Sequence, residues 1–171
     1  PESYKKILDT TDRSLKDLLS MVDNLLRVAR YEAGKVERSN EKVNLVTVCE
    51  ECLAELKPLY DKKKIIVKLL LNVKEVPLTV IRQDLKRVIF NLLDNAIKFT
   101  PNGGSINLSV EKIQDKVIVG VQDSGRGIAR EEAKLVFDRF ARAQGARHAP
   151  GTGLGLYMCR RIIEAHGGVV D

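Results

Sequence analysis

The chain has no tryptophan, and four Phe and four Tyr are its entire aromatic complement. That leaves little for stacking on exposed bases and argues against a nucleic-acid partner. The net charge of +6 does not reverse this, because 29 basic and 23 acidic residues are mixed along the chain rather than clustered. A solvated basic surface accounts for the excess. Long apolar runs are also missing: none approaches a membrane span, and no signal-peptide pattern opens the sequence. Three cysteines are too few for a disulfide framework and fit a reducing, cytoplasmic compartment. Histidine is scarce as well, at His148 and His166.

Cys49 and Cys52 form a C-x-x-C, but they fall inside a helix pattern from Val46 to Tyr60. A reactive pair wants a turn to present it, and a metal wants further ligands that this neighbourhood does not supply. Ordinary helix residues are the reading here. Cys159 lies on another helix pattern and reads as packed.

What is present is ordinary for a globular protein: 44% hydrophobic and 30% charged residues. A chain of 171 residues can build one core plus an appendage. The appendage comes first. Leu8, Thr11, Leu15, Leu18, Val22, Leu25 and Ala29 recur at steps of three and four, the spacing of a bundle seam, and Leu19 and Leu26 widen it. Such a helix needs partner helices. Gly34 suits a left-handed cap, and the polar run Arg38 to Lys42 reads as a linker. The division expected is therefore 1–36 and 37–171.

Beyond the linker the pattern alternates. A strand is expected at Val43–Leu45, a helix to Tyr60, a β-rich run at Ile65–Leu71 and a strand at Leu78–Ile81. The helix Gln83–Phe99 follows, then strands Ser105–Glu111 and Lys116–Gln122 joined by a hairpin at Asp115, and a helix Leu154–Ala165. Asn102-Gly103-Gly104 reads as a turn. Hairpins mixed with helices argue for an α+β two-layer sandwich with a mixed sheet, preceded by one long bundle-type helix.

Three segments carry chemistry. On the Gln83–Phe99 helix, Leu85, Val88, Ile89, Leu92 and Ala96 make an apolar face, while Asn91, Asn95 and Lys98 fall on a separate stripe. Asn is a poor helix former, so two in one stripe point to a use, although a plain solvated face is the alternative. The use would be Mg²⁺, a hard cation satisfied by one or two protein oxygens plus ATP phosphates, with Lys98 neutralising phosphate charge. Asp123 ends a strand and precedes Gly125 and Gly127; its carboxylate can accept a hydrogen bond from the adenine amine, though a plain turn has the same pattern. Gly151-Thr-Gly-Leu-Gly155 opens a helix, where free N–H groups favour an anion. It is neither a Walker A loop nor a Rossmann fingerprint, since no Lys follows and no strand leads in. Residues 141–150 are small and basic without apolar period, a composition that suits a lid over phosphates.

Asn91-Leu-Leu-Asp-Asn95-Ala-Ile-Lys-Phe99 resembles the N box of sensor histidine kinases. Asp123-Ser-Gly-Arg-Gly127 resembles their G1 box, Phe137-Asp-Arg-Phe140 their F box, and Gly151-Thr-Gly-Leu-Gly155 their G2 box. Tyr31-Glu-Ala-Gly-Lys35 is similar to the end of their dimerisation hairpin. The resemblance implies a Bergerat ATP-binding fold, a homodimer through the hairpin, and a response-regulator receiver domain as partner. It assigns Asn95 and Asn91 to Mg²⁺, Lys98 to phosphate, Phe99 to the adenine pocket and Asp123 to the adenine amine. Gly125, Gly127 and Ile128 join the base site. Gly151, Thr152, Gly153, Leu154 and Gly155 join the phosphate site.

Two departures stand out. The family phosphorylates a His followed by an acidic residue, whereas His148 precedes Ala149-Pro150 and His166 precedes Gly167, where dipole and cap packing explain it. The acceptor is thus expected upstream of these residues. The family also continues past Gly167-Gly168 with a β-hairpin that this sequence does not include; without it a sheet edge would stay open.

Overall fold

The computed structural model describes residues 2–33, 40–141 and 152–171. Its elements in chain order are α1 (Glu2–Glu32), β1 (Glu41–Asn44), α2 (Leu45–Lys62), β2 (Ile66–Leu71), β3 (Pro77–Val80), α3 (Arg82–Phe99), β4 (Ser105–Ile113), β5 (Lys116–Asp123), a 3₁₀ turn (Leu135–Phe137) and α4 (Gly155–Ala165). They form two bodies, one of residues 37–129 and one of residues 1–36 with 130–171.

In the first body β2, β4 and β5 make a mixed sheet, β2 parallel and β5 antiparallel to β4; β1 and β3 make a separate antiparallel pair. Side chains on β4 alternate, so Ile106, Leu108 and Val110 are buried beneath the helices while Ser105 and Glu111 face water. Against them pack Ile89, Leu93, Ala96 and Ile97 of α3 and Val48, Cys49, Cys52 and Leu56 of α2. The two helices are tied at their exposed edge by Arg82 to Glu51 and Lys86 to Glu55. This is the expected α+β arrangement with a mixed sheet.

Two details differ from the sequence reading. Leu45 starts α2 rather than ending β1, because Asn44 is the cap: its Oδ1 accepts from the Val46 N–H at 3.2 Å and the Val76 N–H at 3.1 Å. On α3 it is Leu93, not Leu92, that is fully buried; Ile89, Leu93 and Ala96 follow the i, i+4, i+7 rhythm of one face. The hairpin between β4 and β5 turns through Gln114, which adopts a φ of 54°, beside Asp115. Gly103 turns likewise at a φ of 78° within the expected Asn102–Gly104 turn.

Cys49 and Cys52 are both buried on α2, and burial pushes their thiols up to about 12 and about 11. Neither supplies a thiolate at neutral pH, so the pair is core, as its helical setting implied.

In the second body α4 buries Met158, Cys159 and Ile162 along one face, with Leu154 at its start. Arg160 pairs with Asp138 at 3.0 Å and lies over the Phe137 ring. Tyr157 Oη donates to Glu32 Oε1 of α1 at 2.7 Å. The α1 seam stays uncovered in this chain, from Leu8 at 68% exposed to Leu25 at 40%. Val28, one residue off that seam, is buried. Gly34, Arg38 and Ser39 lie outside the described residues, and the end of the expected Arg38–Lys42 linker, Glu41 and Lys42, is instead the start of β1. Among the described residues, no helix is long and apolar enough to cross a membrane.

Candidate nucleotide site

The last turns of α3 carry the first half of the site. Asn91, Asn95, Lys98 and Phe99 are all half-buried. Asn91 is the informative one: its Nδ2 is buried without a hydrogen-bond partner. An orphaned amide costs about 1–3 kcal/mol, so a helix position that tolerates one points to a ligand that completes it. The two ends of the amide exchange by a half-turn, so the same position can present an oxygen to a cation or an N–H to a phosphate. A hard cation that keeps most of its water would fit such a donor set. Beside it, desolvation holds the Asp94 carboxyl above its ordinary range, against the pull of the Lys98 ammonium, even though part of the side chain reaches the surface.

The end of β5 brings the second half to the same place. Asp123 pairs with Ile106 in the ladder, and its Oδ1 accepts from the Gly125 N–H at 2.8 Å. Ser124 continues the lock: its N–H donates to the Ser105 carbonyl, and its Oγ accepts from the Ser105 N–H. The turn then runs directly over the end of α3. A Cβ at Gly125 would lie 2.7 Å from the Phe99 carbonyl oxygen, closer than any side chain tolerates. Gly127 follows at a φ of 72°, and Ile128 offers an exposed apolar surface. Asp123, Gly125 and Phe99 are thus neighbours by geometry as well as by motif.

Two cations face the Phe99 ring. Lys98 Nζ lies 5.2 Å and the Arg126 guanidinium 5.1 Å from its centroid. Arg126 lies outside the site residues read from the sequence, although it sits between the two glycines of the motif, and a cation in that place was the available signal. Lys63 was missed as well. Its Nζ donates to the carbonyls of Ile97, Lys98 and Thr100, and a contact across 34 to 37 residues leaves no local pattern.

The glycine-rich turn into α4 belongs to the second body. Gly151 and the expected lid residues after Ala141, His148 among them, lie outside the described residues. Thr152 Oγ1 accepts from the Leu154 N–H at 3.3 Å, shaping the turn. Gly153 has a φ of 70°, and a Cβ there would meet the Phe140 backbone at 2.8 Å. Gly155 begins α4, whose first-turn N–H groups have no intrahelical acceptors and suit an anion. His166 caps the far end, where its Nδ1 donates to the Ile162 carbonyl at 2.8 Å.

Comparison with known proteins identifies the family. The family described as histidine kinase-, DNA gyrase B-, and HSP90-like ATPase matches residues 81–171. The adaptive-response sensory kinase SasA of Synechococcus sp. (strain JA-3-3Ab) is 33% identical over 167 residues, 97% of this chain and 44% of that protein. This chain therefore spans less than half the length of that relative. The solved catalytic domain of histidine kinase ThkA is 30% identical, with a TM-score of 0.68 over 75% of this chain and 83% of that one. ThkA in complex with the response regulator protein TrrA is 26% identical, with a TM-score of 0.78 over 98% of this chain and 46% of that one. The chain belongs to the sensor histidine kinases, carrying their catalytic domain of the histidine kinase-, gyrase- and HSP90-like ATPase family.

Proposed function

We propose that the chain binds Mg-ATP in a Bergerat-type fold and presents the γ-phosphoryl group to a histidine supplied from outside these residues. The observation that carries this reading is the buried, unpartnered amide of Asn91 on the same helix as Asn95 and Lys98, with the Asp123 turn against that helix's end. Residues 1–36 would be the second helix of a dimerisation hairpin, and 37–171 the ATP-binding domain. A homodimer through the uncovered α1 seam, a cytoplasmic location and a response-regulator receiver domain as the next acceptor complete the reading. The last rests on a relative solved with such a partner.

The roles divide by chemistry. Asp123 accepts from the adenine exocyclic amine, an interaction that a guanine carbonyl would repel. Phe99 offers its ring to the base, with Gly125, Gly127 and Ile128 lining the approach. Lys98 neutralises phosphate as a point charge. Gly151 through Gly155 offer backbone N–H groups to the phosphate oxygens. Asn95 and Asn91 would hold Mg²⁺, which would offset the negative charge that builds on the phosphate during transfer. The imidazole nitrogen attacks the γ-phosphorus, the bond to the β–γ bridging oxygen breaks, and ADP leaves with that oxygen. Phosphoryl transfer asks mainly for position and charge neutralisation, which these residues provide.

The test is calorimetric titration of the chain with ATP and with GTP, each with and without Mg²⁺. Binding of ATP in preference to GTP, strengthened by Mg²⁺, is the expected result. Absence of ATP binding by the folded chain would end this reading.

A further inference from the structure

We propose that Lys63 is a positioning residue for the nucleotide site, clamping the end of α3 so that Lys98 and Phe99 are held where the ligand meets them. The inference rests on the nucleotide reading of those two residues and adds a residue that no motif contains.

The last carbonyls of a helix have no intrahelical partner and carry the negative end of its dipole. In α3 these belong to Ala96, Ile97, Lys98 and Phe99. Thr100 serves Ala96, with its N–H at 2.9 Å and its buried Oγ1 at 2.6 Å. Lys63 serves the next two. Its Nζ donates to Ile97 O at 2.7 Å and Lys98 O at 3.1 Å, and also to Thr100 O at 2.9 Å. An ammonium has three donors, and here three carbonyls converge on it. That is a filled coordination set rather than a solvated surface charge. The fourth carbonyl, of Phe99, is left to face Gly125.

The clamp is itself anchored. Lys63 is the C-cap residue of α2, and its own carbonyl accepts from the Gly103 N–H at 2.9 Å. The next glycine's carbonyl accepts from the Ile66 N–H at the start of β2, also at 2.9 Å. One residue therefore joins the end of α2, the end of α3 and the turn into β4. Without its ammonium the final turn of α3 would fray, and Lys98 and Phe99 lie in that turn. The Asp123 loop rests on the same backbone, so base and phosphate contacts would loosen together.

The experiment compares Lys63→Met, which keeps the apolar stem, with Lys63→Arg, which keeps the charge and donors. ATP affinity is measured by calorimetry at a temperature where circular dichroism finds each variant fully folded. Lys63→Met should weaken ATP binding by about tenfold, and Lys63→Arg should recover most of that loss. A core truncation remote from the clamp, Val110→Ala, should lower the melting temperature yet leave affinity unchanged. If Lys63→Met does not fold, Lys63→Gln, which retains an amide donor, takes its place with the same expectation. Wild-type affinity in the folded Met or Gln variant would overturn the inference, and so would an equal loss in Val110→Ala. A wild-type chain that fails to bind ATP would instead count against the nucleotide reading itself.

Discussion

Gly125 packs its α-carbon against the carbonyl of Phe99 so closely that an added Cβ would lie 2.7 Å from that oxygen and 2.5 Å from Asp123 Oδ1. Neither neighbour can yield cheaply. The carbonyl belongs to the end of α3, and the carboxylate already accepts the Gly125 N–H. The glycine is therefore a condition for the Asp123 turn to lie on the helix that carries Lys98 and Phe99.

Gly125→Ala should accordingly weaken ATP binding more than it weakens the fold. Overpacking of this kind costs about 1–3 kcal/mol, and an exposed turn can relieve it by moving away from α3. Calorimetric titration beside a thermal melt checks this. A variant with wild-type affinity would mean that the turn need not rest on Phe99.

Asp123→Ala should remove most ATP binding while the sheet survives, since Asp123 is exposed at the last position of β5. Losing a charge-assisted hydrogen bond to the base costs on the order of 1.5–3 kcal/mol, or roughly ten- to a hundredfold in affinity. Wild-type affinity in this variant would remove the adenine role from Asp123.

How much of this was legible in the sequence depends on whether the cause is local. The α1 stripe, the elements from α2 to α4 and the Asn91–Lys98 spacing all follow from periodicity and could be read. The junction of β1 and α2 was legible to within one residue, because Leu45 suits either a strand or a helix and the Asn44 cap decides it. Leu92 and Leu93 illustrate a different limit: adjacent leucines at the edge of an apolar face are separated only by the sheet beneath them. Val28 was missed because one seam on α1 masked a second face. Lys63 was out of reach altogether. Its stem leaves the end of α2, and its acceptors are backbone carbonyls that any sequence would possess.

Asn95→Asp should change metal dependence more than base recognition. It retains an oxygen ligand but sets a negative charge beside the phosphates. ATP affinity measured across a Mg²⁺ series checks this, and the variant should need more Mg²⁺ to approach its limiting affinity. Equal wild-type affinity with and without Mg²⁺ would remove the metal role from Asn95.

Asp94 should lower stability at neutral pH and not in acid. Desolvation raises its carboxyl in the folded state, so the penalty is absent while the group is protonated in both states. It grows as pH rises through the unfolded carboxylate range, about 3.9 for Asp, and is complete above the raised folded value. Asp94→Asn should therefore raise the melting temperature at neutral pH and change it little in strong acid. Thermal melts across that window decide the sign. An equal gain at both ends would mean that packing rather than ionisation is responsible.

The chain alone should bind Mg-ATP and yet not phosphorylate itself. An acceptor imidazole must meet the γ-phosphate in line, and His166 caps the end of α4 opposite the glycine turn. Eleven residues separate the two ends of that helix, about 16 Å at 1.5 Å per residue. Its Nδ1 is also engaged by the Ile162 carbonyl. His148 lacks the adjacent acidic residue that accompanies the family's acceptor. The seam from Leu8 to Leu25, exposed in the single chain, further lacks the helices that would present an acceptor from a partner. Supplying in trans a helical hairpin that carries a His-Glu or His-Asp pair should restore transfer once the two pieces associate. Incubation with γ-labelled ATP reads the outcome. Acid-labile label on this chain alone, lost in His148→Ala or His166→Ala, would place the acceptor within these residues after all.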